Sequence, residues 1–433
     1  MTTSPLEGPG ASRRARPSRI GLVALLATAL GALVVLGPSL VAGAQQGEPA
    51  LADDDAITFR HVGVEQGLPS SVVLDVAQDA LGFIWIATDE GLVRYDGMDR
   101  VTYQRTADST SLTGNVVQVL APAPGGALWV GTDTGLARFD PRADVFRRIT
   151  GLPSDDILAL TTDVAGNAWV GTTAGLAFVT AEGAVQSVDR HDPADRSSLP
   201  DDTVEALYLA SEGVLWVGTG DGLARRADGR FQTVRPDSLG VLGAFAVTAI
   251  APSESAGLLL GTLGDGLVAF DPRTAAFARL DIGTDIIAQN VTSVHEDATG
   301  TVWVGTLGGG LRRLTPGEDG VRIYEAVPED PGSLSDDEVS AILEDRQGIL
   351  WVATYGGLDR FDRARGTAVR LRHTDDPVSL ASNDVRSVLV TRDGTLLVGT
   401  DRSLDRSPDG RTFSHIRIGG DLDQHPVRAL VED

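Results

Sequence analysis

The 433-residue sequence predicts an all-β protein, a β-propeller built from four-stranded blades. Three observations lead to this prediction. A tryptophan-bearing segment recurs along the chain, and its period is that of one four-stranded blade. Regular glycine turns with short apolar stretches between them indicate strands throughout and almost no helix. We expect a seven-bladed first propeller followed by the beginning of a second.

The recurring segment is clearest in GFIWIATDEGLVRYD at 82–96 and GALWVGTDTGLARFD at 126–140. All 6 tryptophans of the protein occupy one slot within it. The slot recurs at intervals of 40 to 48 residues, with leucine in two copies, at the following positions: Trp85, Trp129, Trp169, Trp216, Leu259, Trp303, Trp351 and Leu397. Each copy is therefore expected to form one blade.

The seventh copy illustrates how a blade is expected to form. Residues 339–345 alternate apolar and polar positions, which predicts a half-buried first strand. Residues 349–354 are almost continuously apolar and predict a second strand that is buried on both faces. A third strand is expected at 358–361, and a less clearly marked fourth at 367–371. Residues 57–61 resemble an outer strand that precedes its blade, and we expect them to close the seventh blade.

The Trp slot is expected to be architectural. Blades pack face to face, and one large ring per blade fills the gap to the neighbouring blade. A buried tryptophan covers roughly 150–250 Å², and its truncation costs about 3–5 kcal/mol. The small residue two positions later lets another backbone approach closely, and the threonine after it is expected to use its hydroxyl within the turn.

Polar loops rich in turn-forming residues connect the blades. Four loops carry a D-x-x-S-L pattern and two shorter ones read GLPS: 108–116, 195–204, 330–339 and 375–385, then 67–70 and 151–154. We expect all of them on one face of the ring. This placement favours that face as the functional surface, because function is expected where the copies differ.

These elements together resemble the two-component regulator propeller repeat, from about residue 57 to the end. The resemblance implies the periplasmic sensor region of a hybrid sensor histidine kinase, or of a diguanylate cyclase, and a glycan fragment as ligand. The family layout continues with a second seven-bladed propeller, an immunoglobulin-like domain, a transmembrane helix and a cytoplasmic output domain. No output domain is visible here, and residues 427–433 match the first strand of a ninth repeat. We therefore expect this chain to be a fragment.

The N-terminus is distinct from the repeats. Residues 1–44 combine an arginine-bearing start, an apolar run and an A-x-A-like site, which predicts a secretory signal peptide. An uncleaved N-terminal anchor is the alternative, because the run is nearly long enough to span a bilayer. We expect a linker at 45–56, a seven-bladed propeller at 57–372 and the first blade or blades of a second, truncated propeller at 373–433. The location is expected to be periplasmic or otherwise extracytoplasmic.

Composition and motifs argue against several function classes. The net charge of −24 disfavours nucleic acid as a partner, and the absence of cysteine excludes disulfides and thiolate metal sites. The histidines lack ligand spacing, no G-x-S-x-G nucleophile elbow occurs, and the acidic runs at 53–55 and 336–338 lack the spacing of a calcium loop. We expect no catalytic, cofactor-binding or metal residues and no cofactor. The ligand-binding residues are left unassigned.

One polar residue recurs in the third strand of five copies: Arg94, Arg138, Arg225, Arg312 and Arg360. These arginines could line a face that binds acidic sugars. Ion pairing with the aspartate two residues on (Asp96, Asp140, Asp362) or with a neighbouring blade is the favoured interpretation, because repetition indicates architecture.

The leading functional hypothesis is a non-catalytic extracytoplasmic sensor that binds a small molecule or an oligosaccharide. The alternatives are a propeller lyase or hydrolase that acts on polysaccharide, the sensor region of a diguanylate cyclase, and a protein-binding scaffold. Membrane contact is expected only through an N-terminal anchor or a missing C-terminal transmembrane helix. A homodimer is expected only for a full-length parent protein.

Overall fold

The computed structural model describes most of the repeat region. The described residues are 59–235, 245–283, 289–318, 320–362, 377–382, 385–391, 395–400, 402–408 and 412–416. The predicted signal or anchor at 1–44, the linker at 45–56 and the start of a ninth repeat at 427–433 lie outside them. The chain divides into two compact units, Met1–Gly366 and Thr367–Asp433. Within the described parts, no helix combines the length and the apolarity that a membrane span requires.

The described strands of the first unit form seven four-stranded antiparallel sheets, called blades 1 to 7 here in the chain order of their first strands. The strands of each blade, from first to fourth, are as follows: in blade 1, Val73–Gln78, Ile84–Thr88, Gly91–Tyr95 and Arg100–Tyr103; in blade 2, Val117–Pro122, Leu128–Thr132, Gly135–Asp140 and Val145–Ile149; in blade 3, Ile157–Thr162, Ala168–Thr172, Gly175–Val179 and Val185–Asp189; in blade 4, Val204–Leu209, Leu215–Thr219, Gly222–Ala227 and Arg230–Val234. In blade 5 they are Val247–Ser253, Gly257–Thr262, Leu267–Asp271 and Ala276–Leu280; in blade 6, Val291–Glu296, Val302–Thr306, Leu311–Leu314 and Arg322–Tyr324; in blade 7, Val339–Glu344, Ile349–Thr354, Gly357–Asp362 and Arg60–Val62. Two short 3-10 turns complete the unit, Val64–Gln66 and Pro124–Gly126.

The seven first strands form the inside of a closed ring. Each contacts the first strands of both neighbouring blades, and the first strand of blade 7 contacts that of blade 1. At this junction the Ser340 hydroxyl donates to the carbonyl of Val73 at 2.6 Å. Similar side-chain bonds cross other seams, such as Thr248 to the carbonyl of Val291 at 2.7 Å. The all-β propeller fold predicted from the repeat period is confirmed.

The ring closes with a strand from the N-terminal end of the described chain. Arg60–Val62 pairs antiparallel with Gly357–Asp362 and becomes the fourth strand of blade 7. The prediction that 57–61 closes this blade is therefore confirmed for its described part. The fourth strand predicted at 367–371 lies outside the described residues. The N-terminal strand removes an open sheet edge, which would otherwise offer unpaired backbone groups to other chains.

The second strands and their turns follow the sequence prediction. In blade 1, every residue of Ile84–Thr88 is buried, and Thr88 donates its hydroxyl to the carbonyl of Gly91 at 2.8 Å. The small residue after the Trp slot faces the next blade: a β-carbon added to Gly131 would lie 2.6 Å from Ile157 of blade 3. A larger side chain at this position would push the two blades apart.

The second unit contains one described four-stranded sheet. Its strands are Val385–Val390, Leu396–Thr400, Leu404–Ser407 and Ser414–Ile416. Leu380, Val398 and Phe413 form its small buried cluster. Like blades 2, 4 and 7 of the first unit, it is preceded in the chain by a D-x-x-S-L loop.

Candidate functional site

The Trp slot serves packing. Five of the tryptophans are at most 4% exposed, and Trp169 is half-buried. In three blades the indole N–H donates at 2.8 Å to a buried aspartate six residues earlier: Trp85 to Asp79, Trp303 to Asp297 and Trp351 to Asp345. The sequence reasoning missed these aspartates. The D-x-x-G-x-x-W spacing that they share could have revealed them.

Four of the five repeated third-strand arginines, all except Arg225, are placed by aromatic rings or by the neighbouring blade. Arg94 lies 3.4 Å from Asp144 of blade 2, as the neighbouring-blade interpretation predicted. Arg138 and Arg360 each lie 5.5 Å from the ring of the tryptophan in their own blade, and the buried Arg312 donates to the carbonyl of Ile282 at 2.9 Å. Among the described residues, neither Arg94 nor Arg138 forms an ion pair with the aspartate two positions on. The side chain of Asp362 lies outside the description.

The D-x-x-S-L loops of the first unit stabilise the blades, because they pack into the core and bind the outer strands. Their leucines are at most 3% exposed and belong to the core: Leu112, Leu199 and Leu334. One carbonyl of each loop also accepts a hydrogen bond from a backbone amide at the outer strand of the blade that follows the loop. The amide of Phe146 donates to Thr110, that of Phe231 to Ser197 and that of Phe59 to Gly332. The loops thus cover the outer edges of blades 2, 4 and 7, where an exposed strand would be prone to pairing with other chains.

Acidic side chains gather where the ends of the inter-blade loops meet the turns between second and third strands. The meeting is visible in the bond from the amide of Asp133 to the carbonyl of Val116, at 3.2 Å. Burial, with the neighbouring Asp156 carboxylate, raises the pKa of Asp133. Burial and the nearby Asp336 likewise raise the pKa of Glu338. Within the described part of the chain, no three His, Asp or Glu side chains form a group suited to a metal ion.

The described histidines each have a local partner. His61 bonds Asp359 at 2.5 Å, and His415 bonds Asp405 at 2.8 Å in the second unit. His295 lies 3.2 Å from Glu344, and the Nδ1 of His191 lies 2.7 Å from a loop carbonyl. His373 and His425 lie outside the described residues. In the acidic run at 336–338, the side chain of Asp336 accepts a hydrogen bond from the amide of Glu338 at 2.8 Å and so stabilises the local turn.

One groove in the described part of the ring is large enough to hold a ligand. It has a volume of about 1250 Å³ and lies along the junction of blades 4 and 5, bordered by the loop before blade 4. Apolar and polar groups share its wall, among them Trp216, Arg225, Gln232, Val234, Phe270 and Ala275. Trp216 and Phe270 are 4% and 1% exposed, so they form its floor, while Arg225 is half-buried. The sequence reasoning did not single out this junction, although it named Arg225.

Comparison with known proteins identifies the repeat. The family model described as "two component regulator propeller" matches residues 67–90, 198–221, 285–308 and 333–356. Each match runs from the end of an inter-blade loop to the turn after the second strand of blade 1, 4, 6 or 7. A search of the curated proteins found no significant match.

Solved structures with the same fold include two extracellular domains of hybrid two-component systems from B. thetaiotaomicron. The first shares 22% identity over 83% of this chain and 49% of its own, with a TM-score of 0.61. The second shares 20% identity over 83% and 53%, also with a TM-score of 0.61. This chain thus spans about half the length of these domains. Virginiamycin B lyase from Staphylococcus aureus has 13% identity over 71% and 99%, with a TM-score of 0.56. At these identities the likeness shows the fold alone.

The recurring slot, the ring of blades and the four matches agree on one assignment. The matched segments begin and end at the same points of the blade, and they include the Trp strand that the sequence repeats most clearly. The chain therefore contains two-component regulator propeller repeats, which the family model matches in blades 1, 4, 6 and 7 of the ring.

Proposed function

We propose that this chain is the extracytoplasmic, ligand-sensing propeller region of a two-component signalling protein, without catalytic activity of its own. The observation that carries the proposal is the match of the two-component regulator propeller model at four corresponding places in the ring. The likeness in fold to extracellular domains of hybrid two-component systems is in keeping with it. The ligand in this proposal is a small molecule or an oligosaccharide.

The roles of the repeated residues support binding as the function of the ring. The tryptophans, the loop leucines and most third-strand arginines take part in packing. The groove between blades 4 and 5 breaks this repetition, and its volume of about 1250 Å³ is above the usual range for a small-molecule site. This groove lies at one junction of the ring, between blades 4 and 5, and so offers a ligand a distinct set of residues.

The location belongs to the same proposal. Residues 1–44 would direct export, and an output domain on the cytoplasmic side would receive the signal. A β-lactamase reporter fused to the C-terminus of the full chain tests the first part, because it protects cells from ampicillin only outside the cytoplasm. We expect resistance with the full chain and none when residues 1–44 are removed. Equal resistance of the two fusions would contradict the location.

Ligand binding is tested by thermal unfolding of the full chain against a panel of neutral and acidic oligosaccharides, sugars and amino acids. A ligand that binds the folded state raises the Tm, by an amount that grows with its concentration over Kd. We expect at least one panel member to do so and to be recovered chemically unchanged. Cleavage of a panel member by the purified chain would replace the sensor proposal with an enzyme.

A further inference from the structure

The packing slot between blades 1 and 2 holds an arginine with its own anionic partner. The guanidinium of Arg94 lies 5.7 Å from the ring of Trp85. Tyr103 stacks on Trp85 with 5.8 Å between the ring centroids. Asp144 of blade 2 accepts a hydrogen bond from the Tyr103 hydroxyl at 2.8 Å and lies 3.4 Å from Arg94. Tyr103 covers Trp85 in this space, and the carboxylate of Asp144, whose side chain is 57% exposed, faces the arginine at its rim.

The packing slot between blades 4 and 5 is built from strands that pair in the same register as those of blades 1 and 2. It lacks both the phenol and the carboxylate that are present there. Strand pairing and the matching turns show which residues of the two slots occupy equivalent positions. Trp85 corresponds to Trp216, Arg94 to Arg225, Tyr103 to Val234, Phe139 to Phe270 and Asp144 to Ala275. The tryptophan, the arginine and the phenylalanine are kept. Val234 and Ala275 replace the phenol and the carboxylate, and the groove is found at this junction.

The backbone at Ala275 is that of its aspartate counterpart. Both Ala275 and Asp144 have a φ of 56°. The amide of each residue donates to the carbonyl four residues earlier, Asp271 and Asp140 respectively, at 2.9 Å in both turns. A left-handed conformation is uncommon for a residue with a side chain and is more common for aspartate than for alanine. The turn at blade 5 therefore has the same shape as the turn at blade 2 but carries no carboxylate at this position.

Arg225 is the cation that the missing carboxylate leaves available. Its guanidinium makes no hydrogen bond, ion pair or ring contact with any residue that the structure describes, while its backbone takes part in the strand pairing of blade 4. Two neighbouring arginines of the groove are engaged, since Arg235 pairs with Asp221 and Arg273 with Asp271, and the fourth arginine of the groove, Arg196, lies exposed on the bordering loop. The acidic groups of the bordering loop are also occupied: Asp195, for example, accepts from the amide of Ser197 at 2.8 Å.

We propose that the groove between blades 4 and 5 is a binding site for a ligand that presents a carboxylate to Arg225, in the position that Asp144 occupies at blades 1 and 2. Arginine and carboxylate form charge-assisted hydrogen bonds, which are about twice as strong as neutral ones. The inference deepens the proposed sensor function and rests on it for biological meaning. It names the site and the chemical group that the ligand carries.

The other residues of the groove indicate which chemical groups the ligand carries besides the carboxylate. Val234 is smaller than Tyr103, its counterpart at blades 1 and 2, so the groove beside Val234 can take a ring of the ligand where Tyr103 stands in the other junction. Gln232 and Thr233 line the same wall and offer hydrogen bonds to hydroxyl groups. A hydroxylated ring that bears a carboxylate, either a sugar acid or a hydroxyaryl acid, fits this chemistry.

Calorimetric titration of the full chain tests the proposal with two acids and their uncharged counterparts. The acids are glucuronate and 4-hydroxyphenylacetate, and the counterparts are glucose and 4-hydroxyphenylacetamide. We expect at least one acid to bind roughly 10-fold or more tightly than its counterpart, because a hydrogen bond to a charged group contributes about 1.5–3 kcal/mol. The arm that binds distinguishes a sugar acid from an aryl acid.

Two variants locate the binding. Arg225→Gln removes the cation and is expected to abolish the preference for the acid. Ala275→Asp restores the internal carboxylate of the blade 1 and 2 slot, so it is expected to raise the Tm and to block the acid. Arg138→Gln changes an arginine that lies over Trp129, outside the groove, and is expected to leave acid binding unchanged.

Three outcomes would overturn the inference: neither acid binds the unchanged chain, acid and counterpart bind equally, or Ala275→Asp binds the acid as the unchanged chain does. The broader ligand panel separates this failure from failure of the sensor function. A Tm shift with a neutral oligosaccharide that survives Arg225→Gln would leave the sensor proposal standing and place its site elsewhere.

Discussion

The indole N–H of Trp85 donates to a carboxylate oxygen of Asp79 at 2.8 Å, and both side chains are at most 1% exposed. The other oxygen of Asp79 accepts from the amides of Leu81 and Phe83, at 2.8 and 3.1 Å. One aspartate thus holds the turn between the first and second strands and anchors the ring that fills the gap between blades. A buried carboxylate that loses one of these partners is costly, because nothing replaces the lost hydrogen bond.

The first prediction follows from this pair. Trp85→Phe removes the N–H and leaves one oxygen of Asp79 without its donor. Trp216→Phe is the matched control, because Trp216 is also buried but has alanine, Ala210, six residues earlier. We expect Trp85→Phe to lower the free energy of unfolding by about 1–3 kcal/mol more than the control does. Urea denaturation followed by circular dichroism measures both, and equal losses would contradict the role of Asp79.

The second prediction concerns the loops between blades. Leu112 is 0% exposed and packs in the cluster that contains Trp85, Phe139 and Phe146. Leu112→Ala should therefore lower the free energy of unfolding by about 2–5 kcal/mol. Leu81→Ala, at a side chain that is 61% exposed, should change it by less than about 0.5 kcal/mol. Equal stability of the two variants would show that the leucine of the D-x-x-S-L loop does not stabilise the blade core.

Local patterns carried the sequence prediction of the fold. The Trp slot, the glycine turns and the residues around Val62 lie within one repeat or one strand, so spacing alone revealed the blades and the closing strand. The aspartate partners of the tryptophans were equally local, and comparison of the copies six residues upstream would have found them.

The groove could not be predicted in the same way, because its explanation joins different blades. The partner of Arg94 is Asp144, 50 residues away, and only the structure shows that Ala275 is the corresponding residue for Arg225. The loops were expected to expose varied residues, yet the leucine of each D-x-x-S-L loop in the ring is in the core. Burial of a loop residue depends on the neighbouring blade, and the periodicity of one repeat does not contain that information.

The third prediction tests the closure of the ring. Phe59 is 3% exposed and packs against Tyr324 of blade 6 and Phe361 of blade 7, with ring centroids 6.0 and 6.1 Å away. Phe59→Ala should lower the free energy of unfolding by about 3–5 kcal/mol. It should also promote association, because a loosened closing strand exposes the edge of blade 7. Light scattering and denaturation measure the two effects.

The matched control for the closing strand is Val64→Ala. Val64 is 55% exposed and lies just beyond the strand. Its replacement should leave both measurements close to those of the unchanged chain. If Phe59→Ala behaves like this control, the N-terminal strand contributes little to closure, and blade 7 is held by its other three strands.

The fourth prediction is a pH dependence of that closure. His61 in the closing strand bonds the fully buried Asp359 of blade 7 at 2.5 Å. This hydrogen bond raises the pKa of His61 above its usual 6.5, with burial opposing it. Because the raised pKa belongs to the folded state, the stabilisation is complete below pH 6.5 and is lost as the pH rises through the folded pKa. The Tm of the chain should fall over this window.

His61→Gln isolates the effect. The variant keeps a polar side chain but cannot be protonated, so its Tm should fall less between about pH 6 and pH 9 than that of the unchanged chain. Thermal unfolding at closely spaced pH values gives the two curves. Curves that run parallel over the whole range would mean that the His61–Asp359 bond holds the strand equally well with a neutral imidazole.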